Sequence, residues 1–336
     1  MKPISLPFLI YLFMFVIGIN HVHSQALIKT EDLPIRDPFV ITDKKENRYL
    51  LYKSQSVKLD NGKIVGGVAA YESTDMQNWK GPIQVLQIPE ENTLNGGIWA
   101  PEVHEYQGHY YIFATINTDK TWKAAKADWP PYQYRSVQIF KADNPLGPFK
   151  SFAKDPHLDM KDMTLDGTLW VEKGIPYMIY CHEWVQINDG TMELIALEKD
   201  LSKTKGKSKT LFKASEAKWS TGTRHKDQTR SYVTDGCYVY QSKTGELLMI
   251  WSSFMNGNYA VGVARSTTGS IHGPWEQEVN PIFEKNGGHG MIFKDLKGNL
   301  FLVLHGPNSP AGKERAQFFP IQDMGYTLTI NQTQVN

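Results

Sequence analysis

The chain is poor in cysteine: among 336 residues only Cys181 and Cys237 carry thiols. Two cysteines make no disulfide framework, and no Cys/His cluster has zinc spacing, so both thiols are expected to be free and buried. An excess of charge is also missing. Thirty-six basic residues face 35 acidic ones, a net charge of +1, which excludes the electrostatic footprint of a nucleic-acid or anionic-membrane binder. Beyond residue 19 no apolar run is long enough to span a bilayer as a helix. No long segment shows helical periodicity, and no low-complexity linker divides the chain.

The one apolar run present is at the start. Lys2 precedes apolar residues from Leu6 to Ile19, broken only by Pro7 and Gly18, and then small residues around Val22 and Ser24. A basic start, a short apolar stretch and a small-residue cut site predict a secretory signal peptide over 1–24. The mature protein, 25–336, is then expected as one domain, secreted or periplasmic, with no membrane insertion after the leader is removed.

Aromatic residues are plentiful, with 9 Trp, 16 Tyr and 15 Phe. They sit in short runs punctuated by Gly, Asn and Asp, such as Tyr49–Tyr52, Tyr110–Phe113, Tyr177–Tyr180 and Leu247–Trp251, which read as strands. These strands repeat. Five units open at Asp37, Trp99, Asp166, Asp235 and His289, separated by 62, 67, 69 and 54 residues. Each runs strand, tight turn, strand, loop, strand, loop, strand. The first unit is read to end at Ser73–Trp79, the third at Asp200–Ser202 and the fourth at Ser266–Trp275. The expected fold is all-β: a five-bladed β-propeller of four-stranded antiparallel blades. A β-sandwich with chance similarity is the alternative, and five units in the same internal order argue against it.

The first strand of each blade lines the central channel, so residues opening those strands converge at one mouth. Asp37, Asp166 and Asp235 would meet there with His289 and the Trp99–Glu102 stretch. Any one aspartate alone would be an ordinary turn residue before Pro or Gly; recurrence at the same point of separate repeats is what marks them. Mutual repulsion and burial spread the pKa values of such carboxyls. Hydrolysis of an acetal needs that spread, with one group ionised and one protonated.

These pieces carry a resemblance. Arg36-Asp-Pro-Phe-Val40, Trp99-Ala-Pro-Glu-Val103, Leu165-Asp-Gly-Thr-Leu-Trp170 before Pro176-Tyr177, and Gly288-His-Gly-Met-Ile-Phe293 resemble glycoside hydrolase family 43 in order and wording. The family comprises arabinanases and β-xylosidases built as five-bladed propellers, and the resemblance covers nearly all of 25–336. It implies an inverting mechanism with Asp37 as general base and Asp166 as the group that tunes and orients the acid. It implies that His289 lies on the axis and holds water or a calcium ion, with no cofactor required.

The chain departs from the family at the general acid, usually a Glu in Glu-Gly-Pro opening the fourth blade. Thr234-Asp-Gly-Cys237 stands here, and Asp235 is one methylene shorter. Glu183, in Cys181-His-Glu-Trp184 at the end of the second strand of blade three, competes with Asp235 for the acid role; Glu193 reads as structural. Trp99, Glu102, His182, Trp184 and His289 are expected to bind substrate, with blade-to-blade packing the alternative for Trp99, Trp170 and Trp251. The expected activity is cleavage of arabinofuranosides, xylosides or galactosides of plant-type carbohydrate. A carbohydrate-binding propeller that has lost its acid is the alternative; a protein-interaction propeller has no use for convergent carboxylates.

Overall fold

The structure is a computed structural model that describes residues 26–331 apart from residue 127. The expected signal peptide, 1–24, lies outside the described residues. Strands dominate, and among the described residues no helix is long and apolar enough to cross a membrane.

Five antiparallel sheets surround one axis, each with its first strand innermost. Those innermost strands are Phe39–Asp43, Gly97–Tyr106, Thr164–Glu172, Asp235–Gln241 and Gly288–Lys294. The second strands, Arg48–Lys58, His109–Lys123, Ile175–His182, Leu247–Met255 and Leu300–Gly306, return toward the mouth where the first strands begin. These second strands read as near-continuous apolar runs because they are covered on both faces. Leu50, Leu51 and Tyr52 are all inaccessible, as are Leu248 through Trp251. Strands buried on both faces lose the alternation that marks a half-exposed sheet.

The third and fourth strands move outward. The fourth strands of the first, third and fourth blades are Asn78–Gln87, Thr204–Lys213 and Trp275–Gln277. The segments expected there, Ser73–Trp79, Asp200–Ser202 and Ser266–Trp275, are mostly the turns leading into them. Outer strands carry solvent-facing charge, as Lys205-Gly-Lys-Ser-Lys209 does, and so lack an apolar signature.

The first sheet gains a fifth strand, Ile28–Lys29, paired with Asn78 and Trp79 at its rim. The chain then crosses to the last blade. The Ile35 amide donates to the Glu314 carbonyl at 3.1 Å, and Arg315 Nε donates to the Glu31 carbonyl at 2.7 Å. The N-terminal segment thereby ties the last blade to the first.

Packing between the third and fourth blades is aromatic. Trp251 is fully buried against Trp219 and Phe212, with ring centroids 4.8 and 5.4 Å away. Gly262 is required here, because a Cβ would lie 2.2 Å from the Trp219 ring. Trp251 is therefore core, and only the packing alternative survives for it. Both thiols are free and buried, as expected. Trp251→Ala is expected to cost about 3–5 kcal/mol of stability through the cavity it leaves, measured as a lowered urea midpoint. A loss under 1 kcal/mol would show that this contact does not hold the two blades together.

Candidate active site

The site is built on a backbone irregularity shared by every blade. In four blades the ladder between first and second strands skips two residues: Ala100-Pro101, Asp166-Gly167, Gly236-Cys237 and His289-Gly290. In the first blade Asp37-Pro38 takes the same place before Phe39. The first residue of each pair is left-handed, with φ of 51° at Asp37, 42° at Ala100, 55° at Asp166, 48° at Gly236 and 51° at His289. Such bulges re-aim side chains, here into the mouth.

This register corrects the alignment of the repeats. Gly236, not Asp235, is the structural equivalent of Asp37, Asp166 and His289. Asp235 stands one residue earlier, at the last ladder position, paired with Ser252. Gly236 has no room for a side chain: a Cβ would lie 2.6 Å from the His289 ring and 2.8 Å from its Cα.

The amides of these left-handed residues are held largely by side chains of the preceding blade. The Asp166 amide donates to Thr115 Oγ1 at 2.9 Å, the His289 amide to Ser252 Oγ at 2.8 Å, and the Asp37 amide to His305 Nδ1 at 3.2 Å. The Gly236 amide donates to Asp166 Oδ2 at 2.9 Å, and the Cys237 thiol donates to the Asp166 carbonyl at 3.3 Å.

The expected residues do converge. His289 Nδ1 lies 3.3 Å from Asp37 Oδ1, 3.8 Å from Asp166 Oδ2 and 4.0 Å from Asp235 Oδ1. Asp37 Oδ1 and Asp235 Oδ1 are therefore at most about 7 Å apart, a bound that excludes all but the lower end of the ~6.5–9.5 Å expected of an inverting pair. Burial works to raise the Asp37 pKa, but the charges of His289 and Arg36 oppose it, and the carboxyl is held far below the usual range. Asp166 goes the other way. Burial and the charges of Asp235 and Asp37 push its carboxyl well above the usual range, as repulsion between close carboxylates demands. An oxygen of each of Asp166 and Asp235 lies within 4.8 Å of the other. Asp235 is the more open of the two, with 28% of its side chain exposed, and it accepts from the Tyr259 hydroxyl at 2.6 Å.

Glu183 sits at the mouth on the end of its strand, ion-paired with the buried Arg135. Burial pushes its pKa up while Arg135 pulls it down, and burial prevails. The Arg135 guanidinium also lies over the Trp99 ring, 4.2 Å from its centroid. Trp99 is 43% exposed, an open aromatic face at the mouth. Trp184 stacks on His225, which stacks on Trp129, so it joins two mouth loops. His182 bonds Gln186 at 2.8 Å. Glu102 lies deeper in the channel, buried and paired with His104 at 2.9 Å, away from the convergent oxygens. Glu193 accepts from Thr191 and Thr210, a structural role as expected.

Asp166, Asp235 and His289 each offer one ligand atom, all within 4.8 Å of one another. Two carboxylate oxygens and one nitrogen would suit calcium only with water completing its six to eight ligands. An ion there would add positive charge beside the carboxyls.

A family model, Glycosyl hydrolases family 43, matches residues 32–328. The chain belongs to this family. It is an inverting glycoside hydrolase. No curated protein matches it. Among solved structures it is similar to an endo-arabinase from Bacteroides thetaiotaomicron, with 34% identity, a TM-score of 0.76, and 89% of this chain and 98% of that one covered. An endo-1,4-beta-xylanase from the same organism (21% identity, TM-score 0.69, 92% and 97% covered) and an alpha-L-arabinofuranosidase from Lactobacillus brevis (15%, 0.66, 91% and 100%) share the fold.

His305, Tyr259 and Arg135 were not anticipated from the sequence. His305 occupies the second-strand position that holds Thr115 and Ser252 in other blades, so a polar residue recurring there was the available signal.

The enzyme's stability should carry the mark of Asp166. Its carboxyl stays protonated in the fold above the ~3.9 of an unfolded aspartate. Below that pH both states hold the proton and nothing is lost; as pH rises, only the unfolded chain releases it, so Asp166 costs stability. Asp37, depressed in the fold, contributes with the opposite sign and loses its contribution as pH falls. Asp166→Asn should therefore melt higher than wild type at pH 7 and no higher near pH 3. A gain that persists on acidification would contradict the protonated assignment.

Proposed function

We propose that the enzyme hydrolyses α-L-arabinofuranosyl linkages of plant-type oligo- or polysaccharide, with Asp37 as general base, Asp235 as general acid and Asp166 as the residue that sets the acid's pKa. The carrying observation is the opposed environment of neighbouring carboxyls. Asp37 is held ionised, while Asp166 retains a proton against Asp235. The arabinan preference is supported by the likeness, at 34% identity, to the endo-arabinase from Bacteroides thetaiotaomicron. The predicted leader supports secretion, and no cofactor is required by the mechanism.

Asp37 would take a proton from water as that water attacks the anomeric carbon. The close Asp166–Asp235 pair would hold one proton between them, and Asp235, the more exposed of the two, would pass that proton to the departing oxygen. Trp99 would give the sugar an apolar face to stack on. The shorter Asp235 arm displaces the carboxyl from the reach of the family's usual Glu, and misplacement by 1 Å can cost ~100-fold.

Glu183 is the second reading for the acid, favoured by its upward-shifted pKa. Leaving-group dependence separates the two. A general-acid variant loses ~10²–10⁴-fold on an alkyl arabinofuranoside but far less on 4-nitrophenyl arabinofuranoside, whose leaving group needs little protonation. Asp235→Asn should show that asymmetry and Glu183→Gln should not; the reverse pattern would transfer the role to Glu183. Asp37→Asn should lose turnover on both substrates while still binding arabino-oligosaccharide. Sugar binding without turnover in the wild type would instead favour a binding propeller.

A further inference from the structure

His305 is buried and inaccessible, yet it touches the proposed base twice. Its Nδ1 lies 3.2 Å from the Asp37 amide nitrogen and 3.1 Å from Asp37 Oδ1. One ring nitrogen cannot accept from the first and donate to the second at once, so the proton on the ring decides which bond forms.

The Asp37 amide is aimed at Nδ1, which therefore accepts, and the far side of the ring is compatible with that. His305 Nε2 lies 3.2 Å from Asn308 Oδ1. The same oxygen accepts from Arg36 Nη2 at 2.6 Å, and Arg36 is anchored to Glu314 Oε1 at 2.9 Å. A guanidinium only donates, so it fixes Asn308 with its oxygen toward the imidazole. Nε2 then carries the hydrogen and Nδ1 presents its lone pair to the Asp37 amide. The Tyr259 ring stacks on the imidazole, centroids 5.6 Å apart, and holds its plane.

Asp37 needs such a hold. It is left-handed, with φ 51°, a conformation that a non-glycine residue keeps only when its surroundings enforce it. Its carboxylate direction depends on that backbone angle. An extended Asp37 would swing the carboxylate away from His289 and from any water held there.

We propose that His305 is a positioning residue for the base: through the Glu314–Arg36–Asn308 chain that sets its tautomer, it locks the Asp37 main chain in the left-handed conformation that aims the carboxylate at the reacting water. This rests on the assignment of Asp37 as base. His305 is inaccessible and cannot touch substrate, so its effect is expected on kcat and not on KM.

The test compares His305→Ala, His305→Gln and Asn308→Ala with wild type and Asp37→Asn on 4-nitrophenyl arabinofuranoside, with a crystal structure of each folded variant. His305→Ala should lower kcat ~100-fold, the scale of a 1 Å misplacement, with KM within threefold. Its Asp37 should leave the left-handed region. His305→Gln, which can still accept from the Asp37 amide, should recover at least tenfold of the loss. Asn308→Ala keeps the ring but frees its tautomer and should lower kcat about tenfold; it carries the test should His305→Ala fail to fold. Unchanged kcat in the folded variants, or an Asp37 that keeps its φ and carboxylate direction without His305, overturns the proposal. An active Asp37→Asn would instead overturn the base assignment. Should no substrate be turned over, the Asp37 conformation in the crystal structures still decides the positioning claim.

Discussion

The left-handed residue near the mouth end of each innermost strand is the constraint on which the site depends. It breaks the ladder for two residues, so that consecutive side chains no longer alternate cleanly between faces, and one is thrown into the mouth of the channel. Holding four non-glycine residues in that region is costly, and the cost is offset across blade boundaries. Thr115 supports Asp166, Ser252 supports His289 and His305 supports Asp37. The site thus belongs to the interfaces between blades, and closing the ring also completes the environment of Asp37. His305 and Glu314 come from the last blade, and Arg36 from the segment that ties it to the first.

Charge then does the chemical sorting. Three carboxyls within reach of one imidazole cannot all ionise cheaply in a buried mouth. Asp37 has the guanidinium of Arg36 and the His289 imidazole for company and is held ionised. Asp166 faces Asp235 and Asp37 instead, and is held neutral. The division of labour of an acid–base hydrolase follows from who the neighbours are, since the side chains themselves are alike. Glu183 shows the same competition at closer quarters, with burial and Arg135 pulling in opposite directions.

Much of this was legible in the residue order. Asp37, Asp166 and His289 announced themselves by recurring at one point of a repeat, each before an apolar strand. Asp235 was found with an offset of one residue, because Asp-Gly in blade three and Asp-Gly in blade four look alike in sequence while the bulge places Asp in one and Gly in the other at the left-handed position. Glu102, expected beside Trp99, follows the Ala100-Pro101 bulge and is bonded to His104. Tyr259 and Arg135 lie on third strands, whose side chains meet the site only after folding.

The sequence by itself determined the class of fold, the number of blades and the identity of the central carboxylates, because strand periodicity and repeat spacing are local properties that recur five times. Which carboxyl is ionised, which histidine supports Asp37 and the core placement of Trp251 follow only from the tertiary structure. Those depend on burial and on partners supplied by another blade, as distant along the chain as Asp37 is from His305, and no local pattern encodes such a meeting.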